Sequence, residues 1–436
     1  MMNLTFMKTS IFAVIALFAI VFVTSCGDPC DSCAAGTECV DGECVVVDPC
    51  ADVTCAADEI CVDGNCELLA DQTEVRLTSN ITEDTEWTND KVYILGSRIV
   101  VEAGATLTIQ AGTVIKGDAG TGPNSTVLLI ARDATLLAEG TADLPIIFTS
   151  VADNITPADV AAGNIESPNL DPTINGLWGG VIVLGNARIS AANDNDEDIS
   201  EAQIDGIPTS DPNGLYGGTD DADNSGIIRY ISVRHGGTNI GNGNEINGLT
   251  LGGVGSGTVV ENIEIVANQD DGVEWFGGTV SATNVLVWNN GDDAIDTDQS
   301  WSGTLSNFII ITPAGHCFEL DGPEGSYENG HTIEKGSVIV GDAERTSEDI
   351  INTDNNSIVN LKDIYFTGIK DGQMINRVDA VGVSYENIIL DVPAADLANY
   401  VNGAVPAGIV SGTDKQADKS AFGWTWAAKN NAFSAL

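Results

Sequence analysis

Three acidic residues recur at a nearly constant spacing in the second half of the chain: Glu274, Asp296 and Glu319. A second titratable residue stands three positions before each of them, which gives the set Asp271, Asp293 and His316. Carboxylates are ligands that calcium prefers, and a pair of them about 5 to 5.5 Å apart can carry out retaining glycoside hydrolysis. Either chemistry requires an element that places these residues side by side.

The sequence around this acidic set repeats. Residues 262–274 match residues 284–296 with an offset of 22, and a weaker third copy runs from 307 to 319. Short β runs at such a period predict a solenoid, in which each coil buries its apolar side against its neighbours. We therefore predict an all-β fold, a right-handed parallel β-helix, with successive coils about 4.8 Å apart. A β-sandwich is the alternative, but it does not explain the fixed offset.

The predicted coils bring the acidic residues into columns. Like charges about 5 Å apart must be solvated, partly protonated or bridged by a cation. A calcium site would draw on the following carboxylates: Asp270, Asp271, Glu274, Asp292, Asp293, Asp296 and Glu319. Catalysis would draw on Asp271, Glu274, Asp293, Asp296 and His235. In a third interpretation these acids are solvated turn residues that hydrogen-bond the backbone, and the sequence leaves all three open.

Other residues that could do chemistry each have a structural alternative. His235, with Arg229 and Arg234 nearby, could face a sugar acid, or it could be a turn histidine with satisfied hydrogen bonds. Cys317 is expected to be a small core residue. Four tryptophans would stack on sugar rings if exposed and would otherwise fill the core: Trp178, Trp275, Trp288 and Trp301.

The composition excludes several classes of protein. Among 436 residues, Asp+Glu number 64 and Lys+Arg 17, for a net charge of -47. A nucleic-acid binder needs basic residues at the phosphates, so this class is excluded. A hydrophobic content of 43% argues against an acidic disordered chain. We place the β-helix at residues 71–421 and expect the aromatic residues 422–436 to cap the last coil, because an open solenoid end invites edge pairing.

The amino terminus has the features of a secretion signal over residues 1–25. Lys8 precedes an apolar run, residues 11–23, that is too short to span a bilayer. The segment Val23-Thr24-Ser25-Cys26 resembles the lipobox of bacterial lipoproteins. This resemblance implies a lipid on Cys26, and Gly27 in place of Asp implies sorting to the outer membrane. An ordinary signal peptide is the alternative.

Eight further cysteines within residues 26–70 form a duplicated unit: Cys30, Cys33, Cys39, Cys44, Cys50, Cys55, Cys61 and Cys66. Each unit has few apolar residues, so in an exported protein it predicts two disulfides per unit, with the connectivity open. A zinc site is the weaker alternative, because the second unit lacks Cys-x2-Cys and no histidine is near. The units resemble small EGF-like or follistatin-like domains, which implies a stalk.

Three segments of the main body look like the β-helix lipoproteins of Bacteroidetes: residues 176–185, 229–237 and 245–255. The resemblance covers the chain from about residue 75 onward and implies the pectate-lyase-like fold, without a single activity. The adjacent pairs Asp270-Asp271 and Asp292-Asp293 are also similar to the acidic pairs of polygalacturonases. The Gly-His-Gly and Arg-x-Lys segments of that family are missing from this sequence.

These features together suggest a function at the cell envelope. We expect a lipid-anchored outer-membrane protein that works as a binding or adhesion module for a glycan or a partner protein, with calcium assisting. The alternative is an enzyme, either a calcium-dependent polysaccharide lyase or a glycoside hydrolase that uses the stacked carboxylates. A structural spacer without a specific ligand is a third option.

Membrane attachment through Cys26 is directly testable. Replacing Cys26 with Ser should abolish fatty-acid incorporation and release the protein from the membrane fraction, because acyl chains supply about 0.8 kcal/mol of membrane affinity per buried methylene. Metabolic labelling with a fatty-acid analogue, followed by cell fractionation, measures both effects. Cys30→Ser is the matched control and should keep its label. Labelled Cys26→Ser protein would show that the lipid is elsewhere.

Overall fold

The computed structural model describes residues 73–436 except 194, 206, 209 and 241–244, and it gives the backbone of four short strands before them. The chain divides into two units, Met1–Gln72 and Thr73–Leu436. The predicted signal peptide and Cys26 lie outside the described residues. Lipidation at this cysteine therefore stays a prediction.

The amino-terminal unit contains two β-hairpins that repeat one another. β1 (Thr37–Val40) pairs with β2 (Glu43–Val46), and β3 (Glu59–Val62) pairs with β4 (Asn65–Leu68), both antiparallel. Their registers place Cys39 opposite Cys44 and Cys61 opposite Cys66. The two copies of the sequence repeat therefore have the same strand pairing. The disulfide framework stays a prediction, because four of its cysteines lie outside the described residues: Cys30, Cys33, Cys50 and Cys55.

The unit Thr73–Leu436 is built from parallel strands that follow one another as coils. Over the described residues these strands form two large sheets. The larger sheet has fifteen strands: β5 (Glu74–Leu77), β6 (Thr85–Trp87), β7 (Val92–Leu95), β9 (Thr106–Ile109), β10 (Val114–Gly117), β12 (Thr135–Glu139), β13 (Ile146–Ser150), β19 (Gly226–Arg234), β21 (Val259–Val266), β23 (Ala282–Trp288), β25 (Thr304–Ile311), β27 (His331–Ile339), β29 (Val359–Thr367), β30 (Val383–Leu390) and β31 (Ile409–Ser411). The smaller sheet has eight strands: β8 (Arg98–Val101), β11 (Val127–Ile130), β14 (Val181–Leu184), β20 (Leu249–Gly252), β22 (Val273–Phe276), β24 (Ile295–Asp298), β26 (Phe318–Leu320) and β28 (Asn352–Thr353).

An insertion between β14 and β19 interrupts the coils. It carries two antiparallel ribbons, β15 (Ala191–Ala192) with β16 (Asp198–Ile199) and β17 (Ala202–Gln203) with β18 (Leu215–Tyr216). The helices among the described residues are short: α1 (Pro157–Ala161), α2 (Trp426–Lys429) and 3-10 turns at Gly122–Asn124, Pro212–Gly214, Leu397–Tyr400 and Lys419–Phe422. Over the part of the chain that the structure describes, no helix has the length and apolar character needed to cross a membrane.

One non-glycine residue with a positive φ bends each long strand of the larger sheet near its middle. In β19 this residue is Tyr230, with φ 49°; the strand pairs with β12 before it and with β13 after it. Asn262, Asn284 and Asn307 hold the same position in the next three strands, and asparagine tolerates this conformation well. Their amides form a ladder, with 2.9 Å from Asn284 to Asn262 and 2.6 Å from Asn307 to Asn284. Because the long strands bend at this position, the larger sheet forms two of the three faces of the β-helix, and the smaller sheet forms the third.

The interior of the coils is a continuous apolar core, and the predicted parallel β-helix is confirmed. Val273, Ile295 and Phe318 are aligned in consecutive coils and are at most 1% exposed. Cys317 is buried, as expected. The four tryptophans are also buried, so the alternative that they form an exposed sugar-stacking surface is wrong: Trp178, Trp275, Trp288 and Trp301.

The carboxy-terminal segment covers the side of the coils, whereas we expected it to cap the last one. Phe422 and Trp426 pack on the outer side of the larger sheet, in a cluster with Leu286, Trp288 and Ile309. The reason is that these strands carry apolar side chains on both of their sides, and a sheet of this kind must be covered on both faces.

A buried ion pair fastens this segment to the coils. Arg234 and Glu264 are both fully buried, and their closest nitrogen and oxygen atoms are 3.7 Å apart. Glu264 also accepts hydrogen bonds from the Ser232 hydroxyl at 2.6 Å and from the Ala427 N–H at 3.0 Å. The Arg234 guanidinium lies 4.9 Å from the centre of the Trp426 ring. The Glu264 carboxylate thus connects its own strand, β21, and the neighbouring strand β19 to the carboxy-terminal segment.

Removing that carboxylate should strongly destabilise the fold. Glu264→Ala leaves Arg234 charged, buried and unpaired, which costs about 3 to 5 kcal/mol in comparable cases. The free energy of unfolding in urea measures the loss. Glu386→Ala is the matched control, because Glu386 pairs with Lys362 at the surface and is 71% exposed; it should change stability by at most about 0.5 kcal/mol. Equal stability of the two variants would contradict the role given to Glu264.

Candidate functional site

Glu274, Asp296 and Glu319 form a continuous column on the smaller sheet. The register pairs Glu274 with Asp296 and Asp296 with Glu319 across β22, β24 and β26. Their neighbours Val273 and Phe318 point into the core, and side chains alternate along a strand, so the three carboxylates point away from the core. The prediction that the repeat stacks these acids on adjacent coils is confirmed.

The turn before each of these strands supplies the second column. The Asp293 N–H donates to Asp271 Oδ1 at 2.9 Å, and the His316 N–H donates to Asp293 Oδ1. The turns themselves are fixed by buried amides: Asn268 donates to the Asp271 carbonyl at 2.9 Å, and Asn290 donates to the Asp293 carbonyl. Each carboxylate of this column therefore binds the backbone of the next coil.

The carboxylates of both columns form the floor of an open cleft of about 770 Å³. The insertion supplies the opposite wall with Ile199, Ile204 and Tyr216. Of the described residues that line the cleft, none is a lysine, an arginine or a histidine. Twelve are acidic, and they include all seven residues of the predicted calcium set: Asp205, Glu245, Asp270, Asp271, Glu274, Asp292, Asp293, Asp296, Asp298, Glu319, Asp321 and Glu324.

Hydrogen bonds attach the inserted wall to the coils. The Tyr216 hydroxyl donates to Gln299 Oε1 at 3.0 Å, and Gln299 Nε2 donates to Glu324 Oε2 at 3.2 Å. The Glu324 N–H donates to the Ser190 carbonyl at 3.1 Å. The wall is therefore held in place above the carboxylates, which removes part of the solvent that would otherwise screen them.

Most of the floor carboxylates keep their protons to unusually high pH. Burial, followed by repulsion from neighbouring carboxylates, raises the pKa of Asp271, Glu274 and Asp296 well above the ordinary values. The same causes raise the pKa of Asp270 to about 7 and that of Asp298 to about 8. The protein alone thus does not carry the full negative charge of this cleft at neutral pH.

Asp293 is the exception. Burial opposes its ionisation, but hydrogen bonds from His316 and Glu319 outweigh burial and lower the pKa of Asp293. Burial lowers the pKa of His316, yet the bond to Asp293 raises it to about 9, and the two side chains approach to 3.0 Å. Burial and then Asp293 raise the pKa of Glu319 to about 8. At neutral pH an ionised Asp293 therefore lies between a protonated His316 and a protonated Glu319.

Several of these side chains are close enough to share one cation. Among the described residues, three groups each place their potential ligand atoms within 4.8 Å of one another. The groups are Asp293, His316 and Glu319; Asp270, Asp271 and Asp292; and Asp271, Glu274 and Asp296. Calcium takes several oxygen ligands at about 2.3 to 2.6 Å, so atoms this far apart can lie on opposite sides of one ion.

His235 does not join the cleft. Its Nδ1 atom hydrogen-bonds with the Ile174 carbonyl, and its ring packs against Trp426 with 5.7 Å between the ring centres. It is fully buried beneath the carboxy-terminal segment. The prediction that His235 acts in catalysis with the stacked carboxylates therefore finds no support in its position, whereas the alternative, a structural turn histidine, agrees with it.

Sequence reasoning missed several residues of the cleft. Asp298 and Asp321 follow Asp296 and Glu319 by two positions and line the same cleft, so the period of two along a strand was a signal for them. Asn247 donates to Glu274 Oε2 from its amide, and it precedes the 22-residue repeat. The inserted wall has no repeat at all, and its contact with the floor had no signal in the sequence.

These observations define a parallel β-helix protein with a carboxylate-lined cleft on one of its three faces. Residues 79–399 match the family model described as a pectate-lyase like beta helix domain, and the chain belongs to this family. No curated protein and no solved structure matched the chain. The β-helix part of the resemblance noted in the sequence is thus confirmed, whereas its Bacteroidetes lipoprotein part stays a prediction.

The raised pKa values predict that the metal-free protein loses stability as the pH rises from 7 to 9. In this range the unfolded chain has ionised its carboxylates, while the folded chain still holds protons on Asp271, Glu274, Asp296 and, up to about pH 8, Asp298. The folded state thus binds more protons, so stability must fall with rising pH. Thermal unfolding in the presence of a chelator measures this fall.

Asp298→Asn, which removes one of these titrating groups, should reduce the difference in Tm between pH 7 and pH 9. Glu83→Gln, a change at an exposed residue outside the cleft, is the control and should leave this difference unchanged. A Tm that rises from pH 7 to pH 9 would contradict the claim that the carboxylates of the folded cleft keep their protons in this range.

Proposed function

We propose that this protein is a lipid-anchored binding module of the bacterial outer membrane, and that a glycan binds in the carboxylate cleft with the help of calcium. The observation that carries this proposal is the cleft itself, a concavity of about 770 Å³ that crosses several coils. Sites for small ligands commonly measure about 300 to 1,000 Å³. The location at the envelope rests on the predicted signal peptide and on Cys26.

The chemistry of the cleft favours a ligand rich in hydroxyl groups. Its polar side chains are mostly carboxyl groups, and those that are ionised, such as Asp293, form hydrogen bonds roughly twice as strong as neutral acceptors do. Because Trp178, Trp275 and Trp301 are buried, their rings do not stack on sugars. The carboxylates of the cleft that stay ionised also repel an acidic polysaccharide that does not bring cations with it. We therefore favour a neutral glycan, or an acidic one bound through cations.

A glycoside hydrolase is the second candidate, and one observation favours it. Asp293 has a lowered pKa and Glu319 a raised one, and both belong to one group of ligand atoms within 4.8 Å. Retaining hydrolysis uses such a pair, with one carboxylate as the nucleophile and the other as the general acid. A calcium-dependent lyase would need a base, and of the described residues that line the cleft none is a lysine or an arginine.

A glycan array, run with and without calcium, tests the proposed function. Wild-type protein should bind a defined set of glycans, more tightly with calcium, and should release no reducing ends from them. Asp293→Asn should weaken binding by at least about tenfold, about 1.4 kcal/mol, while the protein stays folded, because it removes an ionised acceptor from the floor. Asp414→Asn, an exposed change outside the cleft, should bind like the wild type.

Two outcomes would overturn this proposal. Turnover of a bound glycan that Asp293→Asn abolishes would make the protein a hydrolase. An array without any binding, under both conditions, would leave the structural spacer as the explanation.

A further inference from the structure

Two buried oxygen atoms in the cleft have no hydrogen-bond partner. Asn247 is 7% exposed, and its amide nitrogen donates to Glu274 Oε2 and, at 3.3 Å, to Thr250 Oγ1. This orientation leaves Asn247 Oδ1 without a donor, and Asp296 Oδ1 is likewise buried without one. Buried acceptors are nearly always satisfied in folded proteins, so both oxygen atoms indicate a missing partner.

The surroundings of both oxygen atoms favour a partner with a positive charge. Both oxygen atoms lie beside Glu274, and Glu274, Asp296 and Asp271 each place a carboxylate oxygen within 4.8 Å of the others. Among the described residues, no basic side chain lines the cleft, and the nearby His316 is paired with Asp293 at 3.0 Å. Three carboxyl groups with no basic partner can ionise together only if a cation offsets their charge, and burial strengthens this attraction because it reduces the screening by water.

The oxygen atoms fit calcium better than other common cations. All four donors are oxygen, which excludes the softer metals that favour nitrogen and sulfur. The spacing of up to 4.8 Å is about twice a Ca–O distance of 2.3 to 2.6 Å, as expected for ligands on opposite sides of one ion. Magnesium is smaller, has shorter bonds and demands a nearly ideal octahedron.

The other two acidic groups lack this combination. The group of Asp293, His316 and Glu319 contains its own counter-charge, because His316 is bonded to Asp293. In the group of Asp270, Asp271 and Asp292, no described carboxylate oxygen is both buried and unpartnered. Unpartnered acceptors and clustered charge therefore coincide at one place in the cleft.

We propose that Asp271, Glu274, Asp296 and Asn247 Oδ1 bind one calcium ion that is a resident part of the cleft. This inference extends the proposed function, because it names the residues through which calcium assists glycan binding. The ion lets these three carboxylates be charged together beneath the ligand. Asp293, Glu319 and the outer acids of the cleft then face the glycan.

Calorimetric titration of the full-length, chelator-treated protein with calcium chloride, in the absence of any glycan, tests this site. Wild-type protein should bind one equivalent with saturation. Asp296→Asn should weaken calcium binding by at least about tenfold, and Asn247→Ala should also weaken it, since lost coordination commonly costs 10- to 100-fold. Asp292→Asn is the matched control, since it removes a cleft charge outside this site and should change the affinity by less than about threefold.

Three outcomes would overturn the calcium site: no saturable calcium binding by the wild type, equal losses in Asp292→Asn and Asp296→Asn, or equally tight binding of magnesium. Equal losses would mean that calcium only screens the whole cleft. Thermal unfolding of each variant shows whether it is folded, and Asn247→Ala tests the site without any change of charge. Because no glycan is present, failure here leaves the glycan-array result standing, and failure of the array leaves this titration standing.

Discussion

Strand pairing in a parallel β-helix fixes the side chains of successive coils about 4.8 Å apart, whatever charge they carry. Glu274, Asp296 and Glu319 occupy one such row, and Asp271 and Asp293 occupy a second row in the preceding turn. The core beneath them keeps the rows in register, because Val273, Ile295 and Phe318 pack on the other side of the same strands. The carboxylates cannot move apart without breaking these strand pairs, so their repulsion must be relieved chemically. Protonation, a cation and a hydroxyl-rich ligand are the three ways, and the cleft has features that suit each of them.

The insertion between β14 and β19 converts a charged face into a cleft. An open face would let water screen the two rows, but Tyr216 and Ser190 attach the inserted ribbons to Gln299 and Glu324 above the floor. Burial is the first cause of the raised pKa of Asp296 and its neighbours, and the wall covers the cleft that they line. The same wall gives the cleft the volume of a ligand site. Coils and insertion thus have separate roles, since the coils set the spacing of the carboxylates and the insertion sets their solvation.

The sequence predicted the parts of this protein that depend on its repeat. An offset of 22 residues was sufficient to align Glu274 with Asp296, because register in a coil is a local property of strand length and turn length. The insertion could not be placed, because its contacts with the floor join residues far apart in a segment without repeats. The carboxy-terminal segment was placed wrongly, although the continuous apolar run of β23, from Val285 to Trp288, was a signal that its outer face is covered. The sequence left His235 open between a sugar-facing and a structural turn histidine, because its partners, Ile174 and Trp426, are distant in sequence.

Potentiometric titration of the metal-free protein, native and unfolded in urea, tests the central claim most directly, because it counts the protons that the cleft retains. The account predicts that the native protein still holds several carboxylate protons above pH 7, where the unfolded chain has released them. Replacing Glu274 and Asp296 together with Gln and Asn should remove about two of these protons, one for each carboxyl group. Native and unfolded curves that coincide between pH 5 and pH 8 would contradict the account, because the stacked carboxylates would then ionise like isolated ones.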